Sequence, residues 1–412
     1  SIVKFNLTID TYVARFTSMS TPTPSTNPLL RAWYDKETRS IIVQIIAAAL
    51  ILSFFAYIIN NAVVNLAAIG KDISFNFLWQ NASYDINQHL IEYSSTSNHF
   101  TAMIVGLINT LLVAAAGIVL ATMLGFMLGV MRLSNNWLTQ KIAYVYIEYV
   151  RNVPVLLHIL LLHGLIINAL PRPKGSYNFG DTFFLNNRGF QMPSPEFQSL
   201  FWIVGAFVVA GIAFAWWFSC HAQKVQEETG KAYPVAMINI AAIVLLPFAV
   251  YFVLGSPIEW DVPALKGFNF KGGIVVRPEF IALWLALSFY TAAFIGEIVR
   301  AGIVAINHGQ TEAAQALGIS NSRTLKLVVI PQALRVIIPP LTSQYLNLAK
   351  NSSLALAIGY MDIVATIGGI SLNQTGREME CMLIVMAIYL AISLLISTVM
   401  NWYNNRIQLV ER

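Results

Sequence analysis

Charge is scarce in this chain. Of 412 residues only 11% are Asp, Glu, Lys or Arg, against 57% hydrophobic. Soluble domains carry about a quarter charged residues, so a water-soluble fold is excluded. Cysteine is nearly missing as well, with Cys220 and Cys381 alone, which excludes a disulfide scaffold. No glycine-rich phosphate loop of the Walker type occurs, since Gly230-Lys231 lacks the earlier glycine and is followed by Ala232. His158 and His163 have poor spacing for a shared metal and no Cys or carboxylate cluster beside them. Neither a Ser-His-Asp pattern nor an internal repeat is present, and the long apolar runs exclude disorder, collagen and solenoid arrays.

What the chain has is apolar runs of membrane-crossing length. A helix needs about 20 mainly apolar residues to cross the hydrocarbon core. Eight runs qualify: Ile41 to Ala62, Thr101 to Val130, Ile142 to Leu170, Ser199 to Ser219, Pro234 to Leu254, Phe280 to Ala305, Ile338 to Ile358 and Cys381 to Tyr403. An all-α integral membrane protein with about eight transmembrane helices is expected. With eight spans both termini share a side, and that side holds roughly 15 Lys and Arg against roughly 8 on the other, which assigns the termini to the cytoplasm. The formal charge of +5 thus divides into a basic inner face and a slightly acidic outer one, and no nucleic-acid partner is needed to explain it. Residues 1–40 lack the apolar core of a signal peptide and contain a Ser/Thr/Pro-rich stretch, so they are expected to form a flexible cytosolic tail. Cys220 and Cys381 should lie about a bilayer apart.

The outer segments, Asn65 to Phe100, Pro171 to Gln198 and Gly255 to Glu279, are rich in Pro, Gly, Asn and aromatic residues. Trp79, Tyr84, Phe183, Phe184 and Trp260 suit either interface anchoring or a docking surface.

The inner loop over residues 306–337 is organised differently. Within Asn307 to Ser320, Gly309 lets the chain turn out of the sixth span and Thr311 or Gln310 can cap a helix. Glu312 suits its positive end and Gly318 a left-handed stop. This predicts a helix of about two turns, mostly alanine, too short to stand alone in water and open to close approach by another protein. A second helix should follow, capped near Ser320 or Ser322, interrupted at Pro331, with Pro339-Pro340 opening the seventh span.

Glu312-Ala313-Ala314, Gly318, Ile330-Pro331-Gln332-Ala333-Leu334 and Pro339-Pro340 together resemble the EAA loop of ABC importer membrane subunits. Gly106-Leu107-Ile108-Asn109-Thr110-Leu111, Glu148 with Arg151-Asn152-Val153-Pro154, Glu297 with Arg300-Ala301-Gly302, and Lys350-Asn351-Ser352-Ser353-Leu354 are similar to the polar amino acid permease group. Among these the resemblance is nearest to the large permease subunit of the bacterial general L-amino-acid transporters. It implies a type I ABC importer permease fold with a five-helix core, divided between residues 101–170 and 280–403. Residues 41–62 and the hairpin over 199–254 are then additions. It further implies a subunit without catalysis or cofactor of its own, in the bacterial inner membrane. ATP and Mg would belong to a cytoplasmic ABC ATPase dimer docked on Gln310, Glu312, Ala313, Ala314, Leu317 and Gly318. A second permease subunit, favouring a heterodimer, and a periplasmic amino acid binding protein would complete the importer.

Ionisable groups inside the membrane are functional candidates by default. Glu148 with Arg151 and Glu297 with Arg300 are three apart, so each pair can neutralise itself over one turn or hold neighbouring helices at a gate. Lys350 has no partner within a turn, and Glu297 on the preceding span is a candidate. Asn351, Ser352 and Ser353 supply donors and acceptors suited to a zwitterion, or alternatively to helix-to-helix hydrogen bonds. Glu297 and Lys350 to Ser353 are therefore the candidate substrate pathway. The rival readings are an ion-coupled secondary transporter, which would show inverted repeats and more buried acids, and a non-conducting membrane anchor.

Overall fold

The structure, a computed structural model, describes residues 36–68, 70 and 72–407. The expected tail lies outside the described residues as far as position 35. From Lys36 the chain is already helical, so the first helix starts before Ile41. The chain divides into two compact units, one ending at Ser74 and the other starting at Phe75. In the first, α1 (Lys36–Ala68) is a 33-residue apolar helix.

The second unit begins with a single 3-10 turn (Asn76–Trp79) and then α2 (His99–Arg132). Asn98 caps α2 by accepting the Thr101 amide at 2.8 Å. Its 34 residues make it about 50 Å long at 1.5 Å per residue, well beyond the hydrocarbon thickness. α3 (Trp137–Asn152) and α4 (Val155–Ala169) follow, bent by 106° at the break between them. The expected single span from Ile142 to Leu170 is therefore two arms. Pro154 provides the reason: it has no amide hydrogen and forces Val153 into extended backbone (ψ 131°).

α5 (Phe201–Thr229) runs ten residues past the expected Ser219. It forms a hairpin with α6 (Val235–Ile240) and α7 (Leu246–Val253), which are joined by a π turn. Asn239 ties the hairpin together by donating to the Ser219 hydroxyl at 2.8 Å. α8 (Pro278–Val304) leads into the inner loop with α9 (His308–Ala316) and α10 (Asn321–Thr324). α11 (Ile330–Asn351), α12 (Leu372–Thr375) and α13 (Glu378–Ile407) complete the chain. Among the described residues, seven helices are long and apolar enough to span, and the bent pair makes eight.

Pro331 and Pro339-Pro340 do not divide the inner loop from the seventh span as expected. Pro331 takes the first turn of α11, where no amide donor is required, and a π turn (Leu325–Val329) absorbs the change upstream. Pro339 and Pro340 sit inside α11, and one span runs from Ser322 to Ile358.

Two of the three long connections, over residues 171–198 and 255–279, are not irregular loops. β1 (Tyr177–Phe179), β2 (Phe183–Asn186) and β3 (Gly189–Met192) form an antiparallel sheet. β4 (Ser194–Phe197) precedes the hairpin, and after it β5 (Ile258–Asp261) pairs back on β4. β6 (Ala264–Lys266) and β7 (Asn269–Lys271) make a small hairpin, and β8 (Ile274–Val276) completes the first sheet against β3, with Phe190 opposite Val276. The chain entering and leaving the α5–α7 hairpin is thus stitched together twice. Phe183 stacks on Phe190 at 5.9 Å and Phe184 meets Phe270 at 4.6 Å, so part of the aromatic content packs the sheet rather than anchoring an interface. Trp260 remains exposed.

α2, the α3/α4 pair, α8, α11 and α13 form the core. Val113, Ile159, Leu283, Leu287 and Leu348 are fully buried at its centre. α2 lays Gly117, Ala121, Gly125 and Gly129, one every four residues, against α8 and α11. Small side chains at that spacing let helix backbones approach closely in a membrane.

Candidate functional site

At the inner loop, α9 starts earlier than its sequence suggests. Asn307, rather than Thr311 or Gln310, is the cap: its Oδ1 accepts the Gly309 amide at 2.9 Å, and asparagine is among the best capping residues. His308 Nδ1 lies 3.0 Å from Glu312 Oε1, so Glu312 is held by an i,i+4 partner as well as by the helix dipole. The stop at Gly318 is as expected (φ +76°). Its amide bonds the Gln315 carbonyl at 2.9 Å and the Ile319 amide bonds Ala314 at 3.1 Å, the two bonds of a Schellman motif. Ala314 alone of the predicted coupling residues turns inward. Gln310, Glu312, Ala313, Leu317 and Gly318 face solvent, with Leu317 80% exposed. Gln332, from the Ile-Pro-Gln-Ala-Leu segment, donates to Gln310 Oε1 at 3.4 Å and ties α9 to the start of α11. Behind α9 lies a cavity of about 880 Å³ walled by Ile303, Ile306, Thr311, Gln315 and Leu325.

At the same end of α8, Glu297 Oε1 accepts from Arg300 Nη2 at 2.6 Å and Nε at 3.0 Å, as the spacing suggested. Arg132, at the last turn of α2, adds a longer contact of 3.8 Å to Oε2. The other expected pair does not form: no Glu148–Arg151 ion pair exists among the described residues, and Arg151 instead lies 5.5 Å over the Phe294 ring. Nor do Glu297 and Lys350 meet. On α2, Gly117 touches Leu348 whereas Gly129 touches Gly296 and Val299, which separates the two levels by about 18 Å at the helical rise. Lys350 is exposed and free of ion pairs among the described residues.

Lys350 to Ser353 lies where α11 changes character. The α-helix ends at Asn351 and continues as a 3-10 stretch (Ser352–Ile358), stopped by Gly359. Ser352 is fully buried and donates to the Ala349 carbonyl at 2.7 Å, whereas Ser353 bonds back to Lys350. The four residues thus divide over opposite sides of the break, and the structure groups them with neither Glu297 nor one another's side chains.

Sequence reading missed the polar cluster next to this break. Asp362 is fully buried. Its Oδ1 accepts the Ala365 amide at 2.8 Å and its Oδ2 the Tyr389 hydroxyl at 3.2 Å. Tyr389 also lies 3.4 Å from Ser352 Oγ, so Asp362 connects to the break through one hydroxyl. Asn109 and Thr110 hold the same segment from α2: Asn109 donates to the Met361 carbonyl at 2.9 Å and Thr110 accepts the Ile363 amide at 3.1 Å. Asp362 stands alone in the apolar run from Leu354 to Ile370, a signal that could have singled it out.

Burial pushes the Asp362 carboxyl up to about 6, against the pull of its hydrogen bonds, those from Ala365 and Tyr389 foremost. Because the folded value exceeds the ordinary 3.8, the folded state holds this proton more tightly, and the associated stability is lost as pH rises from about 4 to about 6. The effect is on the order of 3 kcal/mol. Asp362→Asn keeps an acceptor for Ala365 and gives Tyr389 a donor, so its thermal unfolding temperature in detergent should vary less than that of the parent over this window. Equal pH dependence in the two proteins would refute the assignment.

Residues 228–409 match the family model described as the binding-protein-dependent transport system inner membrane component. Over 381 residues the chain is 47% identical to the general L-amino acid transport system permease protein AapQ of Rhizobium johnstonii, covering 92% of this chain and 95% of that one. This chain belongs to the amino acid ABC transporter permeases. A second relative of this family, the glutamate/glutamine/aspartate/asparagine transport system permease protein BztB of Rhodobacter capsulatus, is 47% identical over 92% of this chain and 96% of its own. The glutamate/aspartate import permease protein GltJ of Escherichia coli is 35% identical over 181 residues, 44% of this chain and 71% of its own length. Membership makes the chain a multi-pass inner-membrane transport subunit with a type I ABC permease fold, not an enzyme. Ion-coupled secondary transport is not favoured. In ABC permease systems ATP is used by a partner ATPase.

Proposed function

We propose that this permease moves amino acids from periplasm to cytoplasm by alternating access, driven by a cytoplasmic ABC ATPase dimer that holds ATP and Mg and grips α9. The observation that carries the coupling role is α9 itself: a nine-residue helix between two spans, fixed at both ends, tethered by Gln332 and presenting Gln310, Glu312, Ala313, Leu317 and Gly318 to solvent. Such a short helix gains its stability from its caps and packing, so a push on it is delivered to α8 and α11. The Lys and Arg asymmetry supports cytoplasmic termini and a cytoplasmic α9. On the opposite side a periplasmic amino acid binding protein delivers substrate, and a second permease subunit completes a heterodimer. Ser352, Ser353, Asn351 and Lys350, where the helix break frees backbone groups, together with Glu297 nearer the cytoplasm, are the pathway residues of this reading. The names of AapQ, a general L-amino acid permease protein, and BztB, one for glutamate, glutamine, aspartate and asparagine, support amino acids as cargo.

The test is to co-purify the chain with its neighbours, reconstitute the complex, and measure which amino acids stimulate ATP hydrolysis in the presence of the binding protein. Stimulation by amino acids, and no hydrolysis by this chain alone, is expected. Uptake by the chain alone that is abolished by an ionophore would overturn it in favour of ion coupling.

A further inference from the structure

We propose that α3 carries a binding site for an anionic phospholipid, with the phosphate beside Lys141 and Arg132 and the acyl chain along the outer face of the helix. Leu138, Lys141, Ile142, Val145, Tyr146 and Tyr149 line a groove of about 400 Å³. These positions recur at three- and four-residue steps, so they form one stripe along the helix. Apart from the Lys141 ammonium and two tyrosine hydroxyls the stripe is hydrocarbon. The Tyr146 hydroxyl donates to the Phe289 carbonyl at 2.9 Å, which leaves its ring as an apolar wall. A second groove of about 220 Å³ shares Tyr146 and continues over Leu124, Met127 and Leu128 of α2, giving room for another chain.

The charge at the head of this groove is unbalanced. Lys141 Nζ lies 5.2 Å and the Arg132 guanidinium 4.6 Å from the centre of the same Tyr144 ring, so both cations gather there. Lys141 has no ion pair among the described residues. Arg132 reaches Glu297 only at 3.8 Å, because Arg300 already holds that carboxylate at 2.6 Å, and Arg132 Nε is buried without a hydrogen-bond partner. An anion with several acceptor oxygens matches the Lys141 ammonium and the part of the Arg132 guanidinium that stays accessible. Trp137, 71% exposed at the first residue of α3, marks the level of the headgroups. Glu148 lies two turns further along α3 and repels a phosphate, which confines the headgroup to the Lys141 end. Basic pockets between spans on one side of a membrane recognise anionic headgroups in this way.

The experiment titrates the detergent-purified complex of this chain with its partner subunits with phosphatidylglycerol or phosphatidylcholine of equal chain length, and counts bound lipid by native mass spectrometry. The parent complex is expected to prefer phosphatidylglycerol, Lys141→Gln to lower that preference about fivefold, and Lys141→Arg to retain it. Val145→Trp, which fills the groove without altering charge, should lower binding of the same lipid. Equal retention of the two lipids by the parent complex overturns the proposal. So does displacement by inorganic phosphate alone, which would mark a free-anion site. Protection of Lys141 from acylation by the second permease subunit in lipid-free complex overturns it too, because protein would then cover the groove.

Discussion

Glu312→Arg and Gly318→Val, made singly, are expected to cut amino-acid uptake about tenfold or more while the protein still accumulates in the membrane. The two act on different parts of one device. Glu312 is largely exposed, with the His308 ring its one close partner among the described residues, so its loss changes the presented surface and costs little folding energy. Gly318 holds φ +76°, and nothing lies within 4 Å of where a Cβ would be added. Valine there meets no clash but is strained by about 1–2 kcal/mol, which loosens the Schellman stop and shifts Leu317 and Ile319. Transport should fall and ATP hydrolysis by the complex should lose its stimulation by amino acid. Membrane levels measured by immunoblot separate this outcome from misfolding. Normal uptake by either variant with the ATPase present would sink the coupling role.

What could be read from the sequence, and what could not, follows the range of the interactions concerned. Span lengths are local sums of hydrophobicity, and the Gly318 stop is set by one residue's backbone freedom, so both were legible. Misreadings arose where a local rule competed with tertiary structure. Pro339-Pro340 looks like a boundary, yet α11 runs through it because packing of Ile337 and Leu341 into the core holds the helix on both sides. The β3–β8 pairing joins residues separated by a whole transmembrane hairpin, and no window of sequence contains both strands. Glu297 and Arg300 were paired correctly from their spacing, but Arg132 arrives from another helix. Glu148 and Arg151 share the same spacing and stay apart, since the Phe294 ring offers Arg151 an alternative. Asp362 was passed over because it falls between the expected seventh and eighth spans, whereas the fold buries it between α2 and α13.

The seam between α2 and α8 carries the largest expected effect on folding. At Gly129 a Cβ would fall 2.6 Å from Val299 Cβ and Cγ1 and 2.9 Å from the Gly296 carbonyl. At Gly125 it would collide with Ile295 Cγ2 and stand 3.2 Å from the Ala292 carbonyl. The obstacles are backbone and the root of a β-branched side chain, neither of which can swing away. Valine at either position must therefore drive the helices apart, at about 1–3 kcal/mol or more for overpacking, and the separation removes contacts along the whole Gly117 to Gly129 stripe. Glycine itself is not required by backbone conformation here, because both positions are ordinary helix, so alanine at the same sites isolates the steric part. Gly205, on α5, has nothing within 4 Å of its Cβ position, and Gly205→Val supplies the control for the general effect of valine in a span. Gly125→Val and Gly129→Val should yield little monodisperse protein by size-exclusion chromatography in detergent, whereas Gly205→Val should match the parent. If the seam variants elute at parental yield, α2 and α8 are not in the close contact that positions α9 above them. The ATPase-driven push would then have to reach the pathway through α11 alone.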